Sequence, residues 1–292
     1  MSLEIEPAVA TEASALREMK GPAAISGGAK RFWSLTWMVA ITEFRLSYFG
    51  SVLGYLWTLM RPLMMFGVYY TVFTQIMDLG DKIPHYPAML LMNIMLFQFF
   101  AESTSNAVQS VVARENLVRK MQFPRLVIPL SVVVTALLNL AVNMLAVLVF
   151  VLLNGVEVRW TWLLLPVALL PLVLLSAGVS MILAASFVKY RDVLPVWGVV
   201  TQAMFYASPI LYTVDVVRDR NLPVIETVLH TNPLTGIMEG VRYLVIDPTA
   251  PGAITSWGGM PHALIPIGII VFLFAFGLWY FNRQAQTAAE LL

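Results

Sequence analysis

Few side chains in this sequence are equipped for chemistry, and their spacing narrows what they could do. There are three histidines, His85, His230 and His262. They read as far-apart residues of loops on one side of the molecule, whereas metal ligands recur at set spacing. His-Glu-x-x-His, Gly-x-Ser-x-Gly and clustered aspartate pairs are all missing. Cysteine is absent, which excludes disulfides, iron–sulfur clusters and thiolate metal sites. The segment Ser26-Gly27-Gly28-Ala29-Lys30-Arg31 does not fit the phosphate-loop pattern G-x-x-x-x-G-K-[ST]. No catalytic, metal or cofactor site is therefore expected in this chain.

The polar residues that do stand out lie inside apolar runs. Glu102 opens the patch Glu102-Ser103-Thr104-Ser105-Asn106, followed by Gln109 and Ser110. In hydrocarbon such a patch is costly, so it must face other helices or water. Lining a translocation path and hydrogen bonding between helices are both open to it. Asn139 and Asn143, four residues apart, suit helix–helix hydrogen bonds, and Ser176, Ser180 and Ala184 permit close backbone approach. Tyr55, Phe66, Tyr69 and Phe73 fall on one helical face, since eleven residues make about three turns. Such rings could stack on sugar faces with few fixed hydrogen bonds, the property a sliding polymer needs. Packing and interface anchoring are the alternative uses of the same stripe.

The elements that position these residues follow from composition. Of 292 residues, 59% are hydrophobic and 12% charged, and mean hydropathy is +0.78. Soluble domains carry about 25% charged residues, so polar side chains are too few to cover a water-facing surface. Eighteen basic against 17 acidic residues give a net charge of +1 and no electrostatic case for nucleic acid. The fold class expected is all-α and polytopic. Six stretches approach the roughly 20 residues that cross a bilayer, near 50–77, 87–111, 126–153, 161–187, 194–213 and 261–281. Arg61-Pro62 predicts a kink in the first.

Residues 1–29 read as a disordered cytoplasmic tail and 282–292 as a cytoplasmic C-terminal tail, with one transmembrane domain over 30–281. From Lys30 to Leu46, Trp33, Trp37, Ile41 and Phe44 recur at three- and four-residue steps, with Arg31, Ser34, Thr42 and Arg45 on another face. That pattern suits a helix lying in the membrane interface. Arg114, Arg119, Lys120 and Arg125 crowd one loop, and Lys189 and Arg191 another, which places both termini inside. Between Ser208 and Gly259, prolines bracket two short helices, about 222–230 and 234–246. They are too short to span and read as an outer re-entrant hairpin, with a plain loop as the alternative.

Four segments taken together resemble a known family. They are Phe44-Arg45-Leu46-Ser47-Tyr48-Phe49-Gly50-Ser51-Val52-Leu53-Gly54-Tyr55-Leu56-Trp57 continuing to Phe73, Glu115–Arg125, Tyr190-Arg191-Asp192-Val193, and Ser208-Pro209-Ile210 with Asn232-Pro233-Leu234 and Arg242. The chain resembles membrane subunits of type-2 ABC exporters of cell-surface polysaccharides, a group covering O-antigen, teichoic acid and galactan. The resemblance implies a homodimer of six-span subunits in the bacterial inner membrane. Two copies of a separate ATPase would hold MgATP, and the cargo would be a lipid-linked polysaccharide. It further implies an ATPase-coupling segment holding Arg114, Glu115, Asn116, Leu117, Arg119, Lys120 and Phe123. The interfacial helix would present Arg31, Trp33, Trp37, Phe44 and Arg45 near that ATPase. Channel-lining candidates are Tyr55, Arg61, Phe66, Tyr69, Phe73 and Glu102. Arg61 stands where the family often has Asn, and would meet a diphosphate or snorkel to the interface. Other functions weighed are export of a small hydrophobic drug or glycolipid, and an enzyme acting on polyprenyl-linked sugars.

Overall fold

The computed structural model describes residues 28–48, 55–76, 80, 83–115 and 124–291, with side chains for all of these except Tyr55 and 285–291. Every element among them is helical. In chain order they are α1 (Ala29–Tyr48), α2 (Tyr55–Thr71) with a π-helical turn over Val72–Ile76, α3 (Tyr86–Ala113) and α4 (Val127–Leu153). A 3-10 turn, Trp160–Leu164, leads into α5 (Leu165–Lys189), and α6 covers Val193–Ala207. Four short helices follow: α7 (Val214–Asp219), α8 (Pro223–Thr231), α9 (Pro233–Val245) and α10 (Ala253–Ser256). The long α11 (Met260–Leu291) closes the chain.

Among the described residues, three helical stretches are long and apolar enough to cross a bilayer, Val127–Leu153, Trp160–Lys189 and Met260–Gln284. Val193–Ala207 is apolar but shorter. At 1.5 Å per residue it reaches about 22 Å, against roughly 30 Å of hydrocarbon. The run expected to continue to 213 stops because Pro209 holds Ser208 in extended backbone, φ −109° and ψ 151°. Pro62, by contrast, lies within α2 without ending it. The last helix continues to Leu291, so residues 282–291 are helical.

α3 is the central post. Ala88–Phe97 are buried all round, as expected of a helix enclosed by others. It packs along α4 and α5, while α11 runs along the other side of α5 and α1 lies across α4. Small residues decide the α5–α11 crossing. A Cβ on Gly277 would sit 2.4 Å from the Gly178 carbonyl oxygen, and one on Gly178 would sit 2.7 Å from the Leu273 and Phe274 backbones. Ser180 serves the opposite contact, donating to the Ser103 carbonyl at 3.2 Å. The close approach expected from Ser176, Ser180 and Ala184 is thus shared with a glycine pair that the four-residue spacing did not single out.

The two short helices expected near 222–230 and 234–246 are α8 and α9. Asn232 joins them: its Oδ1 caps α9 by accepting from Leu234 N, and its Nδ2 donates to Ala207 O and Ser208 Oγ. Tyr86 Oη and Asn93 Nδ2 of α3 donate to Leu211 O and Pro209 O, pinning the segment to the central post.

The histidines differ from the expectation of isolated loop residues. His85 precedes α3 in left-handed backbone (φ 51°), His230 ends α8 and His262 lies in the first turn of α11. His230 and His262 are neighbours, since a Cβ on Gly258 would lie 3.1 Å from His230 Nδ1 and 3.3 Å from His262 Cβ. Among the described residues no three His or acidic side chains group as metal ligands.

Gly277→Leu should force α5 and α11 apart, at a cost of about 1–3 kcal/mol. The expected outcome is a lower thermal midpoint for the detergent-solubilised protein; an unchanged midpoint would contradict the tight crossing.

Candidate functional site

A groove runs past α3 as three adjoining chambers. The first, about 520 Å³, is walled by the end of α1 (Glu43, Leu46, Ser47), by α3 (Glu102, Asn106, Gln109, Ser110, Arg114) and by α4 (Val132, Thr135, Asn139). The middle chamber, about 720 Å³, shares Glu102, Asn106 and Asn139 with it and adds α2 and α6 as walls. An outer chamber of about 580 Å³ shares Tyr206 with the middle one and is lined mostly by apolar residues of the π turn, α6, α7 and α8, with Arg220 beside them.

The middle chamber combines polar groups with aromatic rings. Arg61 and Glu102 both line it, with Gln98, Ser105, Asn143, Thr201 and Gln202 between them. Tyr69 packs on Phe205 at 5.5 Å between ring centroids, and Phe205 meets Phe97 edge-on at 5.2 Å. Trp197 of α6 donates to Thr104 Oγ1 at 3.2 Å, one of the few ties holding α6 to the post. α6 has no buried residue, and Val196, Val199 and Tyr206 are exposed. Leu56, Trp57, Met64 and Val68 of α2 are exposed as well. The groove is therefore flanked by two apolar helix faces without a partner among the described residues.

The first chamber is closed by polar contacts from α1. Arg114 pairs with Glu43 and donates to Ile128 O at 3.3 Å and Ser131 Oγ at 3.2 Å. Thr135 Oγ1 lies 3.3 Å from Ala40 O and shares its one proton between that oxygen and Ser131 O, at 2.9 Å. Tyr48 Oη donates to Asn139 Oδ1 at 2.6 Å, and Asn139 Nδ2 donates to Glu102 Oε1 at 2.5 Å. Asn139 therefore bridges α1 to the groove, a larger part than helix–helix glue.

The residues singled out from sequence divide accordingly. Arg61, Tyr69 and Glu102 meet in the middle chamber, and Phe73 lines the outer one. Phe66 turns aside to pack on Tyr70 and on Phe150 of α4. Tyr55 lies in α2, with its side chain outside the described residues. Along α1 the buried face is Phe32, Thr36 and Ala40, so Trp33 and Trp37 point outward with Arg31 and Arg45, and Phe44 is half-buried. Arg114, expected in the coupling segment, turns inward onto Glu43. Glu115 is described at the end of α3, while Asn116, Leu117, Arg119, Lys120 and Phe123 lie outside the described residues. Sequence reasoning missed Glu43, Tyr48 and the α6 wall. The polar pair Thr201-Gln202 inside an apolar run was the available signal for that wall.

Removing the Glu43 carboxylate should free one anchor of α1. Glu43→Ala is expected to speed amide hydrogen exchange across 36–48 several-fold without altering exchange in Ala88–Phe97; equal rates would deny the anchor.

A family model described as ABC-2 type transporter matches residues 34–246. The O-antigen export system permease protein RfbA of Klebsiella pneumoniae is 30% identical over 259 residues, covering 87% of this chain and 94% of the relative. A second Klebsiella pneumoniae protein of that name is 28% identical over 260 residues, with the same coverage of 87% and 94%. The protein of that name from Myxococcus xanthus is 29% identical over 211 residues, 72% of this chain and 80% of the relative.

Proposed function

We propose, from the premise that this chain belongs to the ABC-2 type transporter family, that it is the permease subunit of an exporter of O-antigen-type polysaccharide. The groove carries this reading. A glycan entering hydrocarbon would lose water from many hydroxyls, each at a cost of several kcal/mol without a partner. A wet passage with Arg61, Glu102, Thr201 and Gln202 beside the rings of Tyr69 and Phe205 removes that cost and binds no single sugar tightly. The family and the three relatives support the cargo class.

The finer topology belongs to the same proposal. Six spans follow if α2 and α3 cross the membrane as well, turning Arg61 and the Glu102–Asn106 patch toward the groove and not toward lipid. Both termini then face the cytoplasm of a bacterial inner membrane, and α8 with α9 forms the outer re-entrant pair. A second copy of this chain, docked across the exposed faces of α2 and α6, closes the open side of the groove. Energy comes from two copies of a separate ATPase that bind MgATP and press on the 114–123 segment and on α1. The lipid-linked state of the cargo suits the apolar outer chamber.

That apolar chamber, lined by Phe73, Tyr212, Leu222 and Ile225, also suits a small hydrophobic drug or a glycolipid. A deletion strain separates the two readings. Loss of surface polysaccharide with unchanged drug sensitivity supports polysaccharide export, and the converse overturns it.

Charge reversal tests the ATPase contact. Arg119→Glu or Lys120→Glu is expected to reduce co-purification of the ATPase, or to uncouple hydrolysis from export, and an intact, fully coupled complex would refute the contact. Within the groove, Tyr69→Ala should lower export several-fold at unchanged protein level, through loss of a ring worth about 0.5–1.5 kcal/mol in an aromatic contact. Unaltered export would return Tyr69 to a packing role.

A further inference from the structure

We infer that Tyr48, outside the middle chamber, is a positioning residue for the Glu102 carboxylate and acts through Asn139; this rests on the groove being the transport path. An asparagine amide has one accepting end and one donating end. Tyr48 Oη donates to Asn139 Oδ1 at 2.6 Å, which occupies the accepting end. The donating end is thereby turned to Glu102 Oε1, at 2.5 Å. Reversing the amide would set its oxygen against the carboxylate and withdraw the acceptor that the Tyr48 hydroxyl uses. While the Tyr48 hydroxyl is in place, Asn139 has one favourable orientation, and Glu102 is held toward α4.

Tyr48 belongs to a different mechanical unit from the groove walls. It is the last residue of α1, and α1 is fastened to α3 and α4 at Ala40, Glu43 and Tyr48. Hydrogen bonds weaken steeply outside a narrow range of distance and angle. A displacement of α1 of about an ångström along α4 would break the Tyr48–Asn139 contact and remove the donor that steadies the Asn139 amide against Glu102. Glu102 lines both the first and the middle chamber. The state of α1 is thus transmitted to a charge-bearing group at the join of two chambers.

The test uses the full chain in its complex with the partner ATPase, in cells whose surface polysaccharide is measured, with Glu102→Ala, Tyr48→Phe and the double variant. Glu102→Ala is expected to lower export. Tyr48→Phe, which removes only a hydroxyl, should lower it about tenfold, the equivalent of one hydrogen bond. The double variant should be no worse than Glu102→Ala alone, because Tyr48 then has nothing to position. In membranes, Tyr48→Phe should also raise labelling of Glu102 by a water-soluble carbodiimide several-fold more than Glu43→Ala does, since Glu43→Ala loosens α1 without touching Asn139. Normal export by Glu102→Ala would overturn both the groove reading and this inference. Impaired Glu102→Ala with normal export and labelling in Tyr48→Phe, or losses that multiply in the double variant, would overturn the inference and leave the groove reading standing. If Tyr48→Phe is depleted from the membrane, Asn139→Leu replaces it. It should reproduce the labelling increase without adding to Glu102→Ala, and multiplied losses would again refute the relay.

Discussion

A carboxylate set among the helices of a membrane protein must be partnered or wetted, and much of this architecture answers to that requirement. Glu102 is the acid inside the apolar runs, and it sits where α3 changes character. Toward its N-terminus, Ala88–Phe97 is buried on every face. From Glu102 onward the helix alternates between buried hydroxyls, such as Ser103 and Thr104, which bond back to the Phe100 carbonyl, and residues such as Glu102 and Asn106 that open onto cavities. Asn139 satisfies one oxygen of the carboxylate, and the chambers supply room for water at the rest. Packing α3 against apolar side chains along its full length would have stranded the charge.

The same requirement explains why α2 and α6 are loosely attached. Their inward faces border a polar groove and cannot pack as a dry core, so few contacts fix them to the post. Their outward faces are apolar and exposed. Lipid could cover those outward faces, but the groove between them holds Arg61, Glu102 and Gln202 and is no surface for acyl chains. The proposed second subunit resolves the conflict, since a two-fold copy brings another polar groove to face the first and another apolar rim to seal it. Loose attachment then has a use, because walls that must part for a polymer cannot also be the most tightly packed part of the molecule.

What was legible in the sequence follows the same physics. Helix limits set by local chemistry were readable: Pro223 and Pro233 start α8 and α9 close to the expected positions, and the apolar run of 126–153 is α4 within a residue. Limits set by backbone restriction inside an apolar run were not, as at Ser208, where hydropathy carries on past the end of α6. The groove was half legible. Arg61, Tyr69 and Glu102 betrayed themselves as polar or aromatic residues in apolar surroundings, but spacing alone could not show that Phe66 would turn toward Phe150. Contacts between helices distant in sequence, such as Tyr48 to Asn139 or Gly178 to Gly277, left no periodic trace. Each needed the tertiary crossing that creates it.

The helices α8 and α9 show how a short, broken segment can hold its shape beside the groove. α8 and α9 are too short to be stable alone, and buried polar groups hold them by specific pairing. Arg242 lies between Glu239, at 3.1 Å, and Asp247, at 3.6 Å, and Glu239 also accepts from Val214 N. Burial works to raise the Asp247 carboxyl, but two hydrogen bonds from Thr249 and the Arg242 charge prevail and hold it below the ordinary range. Trp257 closes the other side, donating to Asn232 O at 3.2 Å while its ring occupies the space a Cβ on Gly236 would need. Such a network adds little net stability over an apolar core, yet it admits few alternative arrangements. Tied to α3 by Tyr86 and Asn93 and to the end of α6 by Asn232, the segment is thereby held in one register against the central post.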